Sequence, residues 1–175
     1  MITIRPIRVA DAGSFREALD SVCGERRYLA AFEAPDLNRT VKFVESNVAA
    51  GFAQFVAEDE EGRIVGWCDA LPDSATSGTA HVGRLGMGVI KDFRGRGIGR
   101  RLMEVTIQAA ATAGLEKIEL SVYSLNTPAI ALYEKLGFAT EGRKVRGRLV
   151  DGVYEDIILM ALYLGNSSNA GRGDF

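Results

Sequence analysis

The sequence predicts a mixed α/β fold: one mostly antiparallel sheet of about seven strands flanked by about four helices. Three observations predict it. Strand-like and helix-like patterns alternate along the 175 residues in the order β α α β β β α β α β β. Short Asp/Gly turns at 59–62 and 149–152 join strands as hairpins, whereas residues 79–123 read as strand, helix, strand. At 47% hydrophobic and 25% charged residues, the composition suits a globular chain with a full core. No internal repeat or linker splits the chain. A single domain is expected over residues 1–165, followed by a disordered tail at 166–175, whose Arg-Gly-Asp is read as chance composition.

In order, residues 2–8 alternate and are β-branched, and Pro6 places that strand at an edge or end. Asp11 can cap a helix over 12–23, with Phe15, Leu19 and Val22 on one face. Asp36 can cap a second helix, with Leu37, Val41, Val44 and Val48 as its apolar stripe and Gly51 as its stop. Residues 52–57 and 63–71 form a hairpin. The strand at 79–90 carries Gly83, Gly86 and Gly88, and glycine inside a strand marks a bulge or a close approach to the backbone. The next helix, 98–113, places Ile98, Leu102, Val105 and Ala109 on one face. A strand follows at 115–123. Thr127 and Pro128 then open a short helix as N-cap and N1, with Ala129, Leu132, Tyr133 and Leu136 on its face. Two strands, 138–147 and 153–162, close the pattern.

Net charge is −2, so nothing global points to nucleic acid or to a membrane surface. Cys23 and Cys68 are too few for a disulfide framework. Arg5 and Arg8 interrupt any apolar targeting segment, and no apolar run approaches a membrane span. A cytoplasmic protein with reduced thiols is expected.

The chemistry gathers at residues 94–101. Gly95, Gly97 and Gly99 alternate with other residues, and Arg94, Arg96, Arg100 and Arg101 fall among them. A strand precedes this loop and a helix follows. A helix start offers unpaired N–H groups and the positive end of a dipole, and glycine lets an anion approach. The stretch lacks the Gly-Lys-Ser/Thr of a triphosphate loop, and Arg100 stands where the dinucleotide fingerprint needs its last glycine. Taken alone, the loop is either an anion cradle or a tight turn with solvated arginines.

Two segments together decide between these. Residues 87–99, with Arg94, Gly97 and Gly99 at the defined positions, resemble the acetyl-CoA motif of the GNAT superfamily of N-acetyltransferases. Further on, Asn126, Ala129, Tyr133, Gly137 and Phe138 resemble that family's second signature, N-x-x-A-x-x-x-Y-x-x-x-G-F. Many members carry proline just before the loop arginine, where this chain has Lys91-Asp92-Phe93.

The resemblance implies a GNAT-like sheet with a splayed central strand pair. It also implies acetyl-CoA as cosubstrate, no metal, and an N-acetyltransferase acting on a primary amine of a small molecule, with an amino acid or amino acid-like compound as the candidate. Transfer would be direct, in a ternary complex. Backbone N–H groups of Gly95, Arg96, Gly97, Ile98, Gly99 and Arg100 would cradle the pyrophosphate, with Arg94, Arg96 or Arg100 pairing phosphate. The pantetheine arm would pair with backbone at Met87, Gly88 and Val89 like a short added strand. A backbone N–H near Val89 would stabilise the oxyanion.

Tyr133 is where the family places the tyrosine that protonates the coenzyme A sulfur; the same spacing also suits a buried aromatic. Asn126 would bond the cofactor arm or serve only as a turn residue. The family's common glutamate base falls at Gly83, so His81, the only histidine, is the candidate base, with a structural histidine as the alternative. The family's acceptor site implies Glu33 for an amine and Arg146, with Lys144 and Arg148, for a carboxylate; a solvated charged hairpin is the alternative. Relatives are often dimers, so a homodimer is among the expectations. Two further readings stay open: an acetyltransferase of protein N-termini or ribosomal proteins, and an inactive coenzyme A-binding regulatory module.

Overall fold

The computed structural model describes residues 1–165, so the expected tail at 166–175 lies outside the described residues. Among the described residues, seven strands form one sheet: β1 (Thr3–Pro6), β2 (Ala53–Glu58), β3 (Ile64–Pro72), β4 (Val82–Val89), β5 (Lys117–Tyr123), β6 (Ala139–Val150) and β7 (Val153–Tyr163). Their spatial order is β1-β2-β3-β4-β5-β7-β6, and only the β4–β5 pair is parallel. Four α-helices accompany them: α1 (Ala12–Gly24), α2 (Leu37–Ala50), α3 (Ile98–Thr112) and α4 (Thr127–Lys135). The predicted element order and the mixed, mostly antiparallel sheet are those found.

The sheet separates two apolar cores. On one face, Phe15 and Val22 of α1 and Val44 of α2 pack with Val56 and Trp67. On the other, Leu102 and Met103 of α3 and Tyr133 of α4 pack with Cys68, Ile118 and Met160. Pro6 ends an edge strand, where its missing N–H costs no ladder bond. Both cysteines are free and buried. No helix is long and apolar enough to cross a membrane among the described residues.

Local expectations need four corrections. Asp11 does not cap α1 through its side chain. Its carboxylate accepts from the Arg8 N–H at 2.7 Å and from both Nη atoms of Arg5, because a 3₁₀ turn at Val9–Asp11 precedes the helix. The buried face of α2 is Thr40, Val44 and Asn47, leaving Leu37 and Val48 exposed; Asn47 turns inward to donate to Gln54 at 2.9 Å. The buried face of α3 runs through Met103, Thr106 and Ala110 instead of Val105 and Ala109. Asn126, not Thr127, is the N-cap of α4, and its side chain makes no capping bond. By contrast, Asp36 caps α2 as expected, accepting from the Arg39 N–H at 2.9 Å, and Gly51 ends that helix at φ 67°.

Candidate active site

The site begins where β4 and β5 part. They pair only over Val82↔Lys117, Gly83↔Ile118 and Arg84↔Glu119, although β4 runs on to Val89 and β5 to Tyr123. The other edge of β4 stays on β3, and just beyond its end the Ile90 N–H donates to the Val65 carbonyl at 3.0 Å. Alternate residues of a strand turn their backbone groups to opposite edges. The N–H groups of Met87 and Val89 therefore face the open edge. A cavity of about 420 Å³ lies there, with Met87, Gly88 and Val89 along one side and Asn126, Leu132 and Tyr133 of α4 across from them.

The Gly/Arg loop closes one end of this cavity. Gly95 and Gly97 have φ of 73° and 74°, and Arg96 between them does not share that conformation. Such alternation points successive N–H groups into one concavity. Gly97 is the N-cap of α3 and offers no side chain to cap it. The Arg101 N–H is bonded to the Gly97 carbonyl at 3.1 Å, and the N–H groups before it have no carbonyl within the helix. Gly95, Gly97, Ile98, Gly99 and Arg100 all line the cavity.

The arginines divide in role. Arg94 donates from Nε to the Val89 carbonyl at 2.8 Å and from Nη1 to Glu25 at 2.8 Å. Its guanidinium lies 4.6 Å from the Tyr28 ring centroid. With 30% of its side chain exposed, Arg94 clasps the loop to the end of α1. Arg96 donates to the Asp92 carbonyl at 2.7 Å and its guanidinium lies over the Phe93 ring, so its side chain is engaged within the loop. Arg100 pairs with Glu104 through Nε at 2.7 Å and is two-thirds exposed at the cavity wall, and its terminal nitrogens have no hydrogen-bond partner among the described residues.

Tyr133 is 7% exposed and lines the cavity. Burial pushes its hydroxyl well above the ordinary phenol range, with neighbouring Cys68 a lesser cause. It is thus a neutral O–H donor. Burial likewise keeps the Cys68 thiol protonated. Asn126 lines the same cavity, and its carbonyl accepts from Ala129 and Ile130 at 3.1 Å.

The remaining sequence candidates sit elsewhere. His81 is exposed in the turn before β4, where its carbonyl accepts from Glu116 at 2.9 Å, and it lines no cavity described here. Gly83, the position of the family's glutamate, has its side filled by Leu115, whose Cδ1 would lie 2.6 Å from an added β-carbon. Glu33 is exposed in the α1–α2 segment. Arg146 is exposed on β6 at φ 50°, with its guanidinium over Tyr154. Arg148 is engaged in structure: it donates to the carbonyls of Arg26 at 2.7 Å and Arg27 at 3.0 Å, tying the β6–β7 hairpin to the segment after α1.

Three residues at the site belong to no motif: Glu25, Tyr28 and Asp69. Only Asp69 leaves a sequence signal, as the sole charge in the apolar run 64–71. It lies 8% exposed on the α1/α2 face of β3, opposite Gly86, and lines a second cavity of about 390 Å³. Among the described residues, no cluster of three His, Cys, Asp or Glu side chains could hold a metal ion.

Comparison with known proteins agrees with this geometry. The model of the acetyltransferase (GNAT) family matches residues 18–138. The chain is 25% identical over 171 residues to an L-methionine sulfoximine/L-methionine sulfone acetyltransferase of Pseudomonas aeruginosa, covering 96% of this chain and 98% of that one. It is 25% identical over 166 residues to an L-amino acid N-acyltransferase of Escherichia coli, covering 93% and 94%. A Salmonella typhimurium structure solved with acetyl-CoA superposes with a TM-score of 0.88 at 21% identity, over 97% of both chains.

Proposed function

The chain belongs to the acetyltransferase (GNAT) family and is an acetyl-CoA-dependent N-acetyltransferase, and on that premise we propose that it acetylates the primary amine of a small, amino acid-like molecule by direct transfer in a ternary complex. One observation carries the reading: Met87 lines both cavities. The donor cavity lies along the open edge of β4, and the second cavity lies on its α1/α2 side. Two substrates held there would meet at one strand. The full-length similarity to enzymes named for amino acids and amino acid analogues supports the acceptor class. Residues 1–165 would act as one catalytic domain.

Acetyl-CoA supplies an activated acetyl group on sulfur. The chain's own groups suit it. The N–H groups at the start of α3 and the Gly95–Gly97 concavity meet the pyrophosphate, and Arg100 adds charge. The open-edge groups of Met87 and Val89 pair with the amides of the arm. Of the two open-edge N–H groups, Met87 and Val89, the one left free by the arm would donate to the thioester oxygen and stabilise its developing negative charge. Tyr133 donates its proton to the departing sulfur. Direct transfer is favoured because both cysteines are buried, which leaves no exposed thiol nucleophile among the described residues.

The test is initial-rate kinetics with acetyl-CoA and L-amino acids varied together. Intersecting lines support a ternary complex; parallel lines, the mark of a covalent acetyl-enzyme, would exclude it.

A further inference from the structure

Resting on that reading, we propose that the second cavity holds the acceptor as a free α-amino acid with an apolar side chain, that Asp69 takes the proton from its ammonium group, and that Arg39 meets its carboxylate. Phe15 and Leu19 of α1, Phe43 of α2 and Trp67 of β3 make the walls apolar. Among the described residues, only two ionisable side chains line this cavity, Asp69 on β3 and Arg39 on α2. Their charges are opposite, and they stand on different elements. A zwitterion with an apolar side chain complements that arrangement: one buried anion, one accessible cation, and hydrophobic surface between them.

Asp69 is built as a group awaiting a partner. It is 8% exposed, and among the described residues no cation pairs with it. Burial pushes its carboxyl up to about 7, offset in part by the Gly86 backbone N–H. Gly86 also keeps the carboxylate open, because an added β-carbon there would stand 3.0 Å from Oδ1. A carboxyl with this affinity for protons is half ionised near neutrality and can accept one. Burial lowers the proton affinity of an amine in the same cavity, which narrows the gap between donor and acceptor. Arg39 is exposed, and its guanidinium enters no ion pair among the described residues, although its backbone N–H is held by Asp36.

The Asp69 carboxylate takes one proton from the ammonium, freeing the nitrogen lone pair. That pair forms the C–N bond to the acetyl carbon while the carbonyl π pair moves onto oxygen; the oxyanion then collapses, the C–S bond breaks and the C–S bonding pair leaves with sulfur. Tyr133 protonates the sulfur and regains a proton as the nitrogen sheds its second one. Asp69 then releases its proton to water.

Asp69→Asn, Arg39→Gln and the parent enzyme should be compared on apolar L-amino acids and on the corresponding amines without the carboxylate. For Asp69→Asn, kcat/KM should fall at least about a hundredfold at neutral pH. The limb of the parent's pH profile near 7 should disappear, leaving only the acceptor amine's own titration, while acetyl-CoA affinity is retained as proof of folding. For Arg39→Gln, KM for the amino acid should rise about tenfold or more and KM for the decarboxylated amine should not change. Carboxyl NMR of the free enzyme should show Asp69 titrating near 7 and moving down when the amino acid is added without acetyl-CoA. An active parent whose pH profile survives Asp69→Asn would overturn the inference while leaving the proposed activity standing. So would an Asp69 titration indifferent to the amino acid, or an Arg39→Gln effect equal on both substrates. A parent that acetylates no amino acid would overturn the proposed activity and the inference together.

Discussion

The indole of Trp67 lies across Gly88: a β-carbon at residue 88 would stand 2.3 Å from Cη2 of the ring. The bulk that β4 lacks is supplied by β3, and Phe15 of α1 packs edge-on against the same indole with ring centroids 5.7 Å apart. The donor edge of β4 and the α1/α2 core are thereby coupled through one aromatic side chain.

Gly88→Ala should therefore displace Trp67 or β4. Overpacking of this kind costs about 1–3 kcal/mol. Thermal denaturation should show a lowered Tm, and calorimetry should show weaker acetyl-CoA binding because the open edge moves with the strand. An unchanged Tm would mean that the indole has another place to go.

Arg94 positions the loop through Glu25. Arg94→Ala and Glu25→Gln should each weaken acetyl-CoA binding, although Glu25 does not line the donor cavity. The pair is partly exposed, so the effect is about 1 kcal/mol, or about fivefold in Kd. The double variant should lose little more than either single one. Full additivity would show that the two residues act independently.

Tyr133→Phe removes the proton donor and keeps the ring that packs against Phe138 at 5.9 Å. We expect kcat to fall about a hundredfold with acetyl-CoA affinity nearly unchanged. Equal turnover by the variant would reduce Tyr133 to a packing role.

Asp69 should mark the pH dependence of stability. Its folded carboxyl holds a proton up to about 7, against an ordinary value of 3.8. Between those values the folded chain binds the proton and the unfolded chain does not. Stability therefore declines as pH rises through that window, and the loss is complete above it. Asp69→Asn escapes the loss, so urea denaturation should find it gaining on the parent between about pH 4 and 8, by up to about 4 kcal/mol. A constant difference across that range would place the carboxyl in solvent.

Much of the fold was legible because hydrophobic period and turn chemistry are local. Asp36, Gly51 and the Asp59–Gly62 turn announce their elements directly. The Gly95–Gly97 loop was legible within the 87–99 motif, and the parting of β4 from β5 through the family resemblance that this motif and the 126–138 signature carry. Helix faces were less so. Asn47 is buried in α2 because Gln54, from a strand, receives its hydrogen bond, and no count of apolar residues anticipates that. The glycines of β4 suggested a ligand at the backbone. Gly86 and Gly88 in fact make room for Asp69 and Trp67 on the neighbouring strand, a relation set by sheet register. Arg94 could be placed in the loop, but its engagement with Glu25 depends on where the end of α1 comes to rest. His81, Glu33 and Arg146 stand out in the sequence by residue type and by segment, but the packing of turn and hairpin leaves all three outside both cavities.

The central claim is amine acetylation at the junction of the two cavities. The most direct measurement mixes purified protein with acetyl-CoA and a panel of L-amino acids, and follows free thiol and N-acetyl product together. Thiol and N-acetyl amino acid in equal amounts, saturable in both substrates and strongest for apolar side chains, is the predicted result. Acetyl-CoA binding accompanied by thiol release no faster than in the absence of amine, across the whole panel, would contradict it.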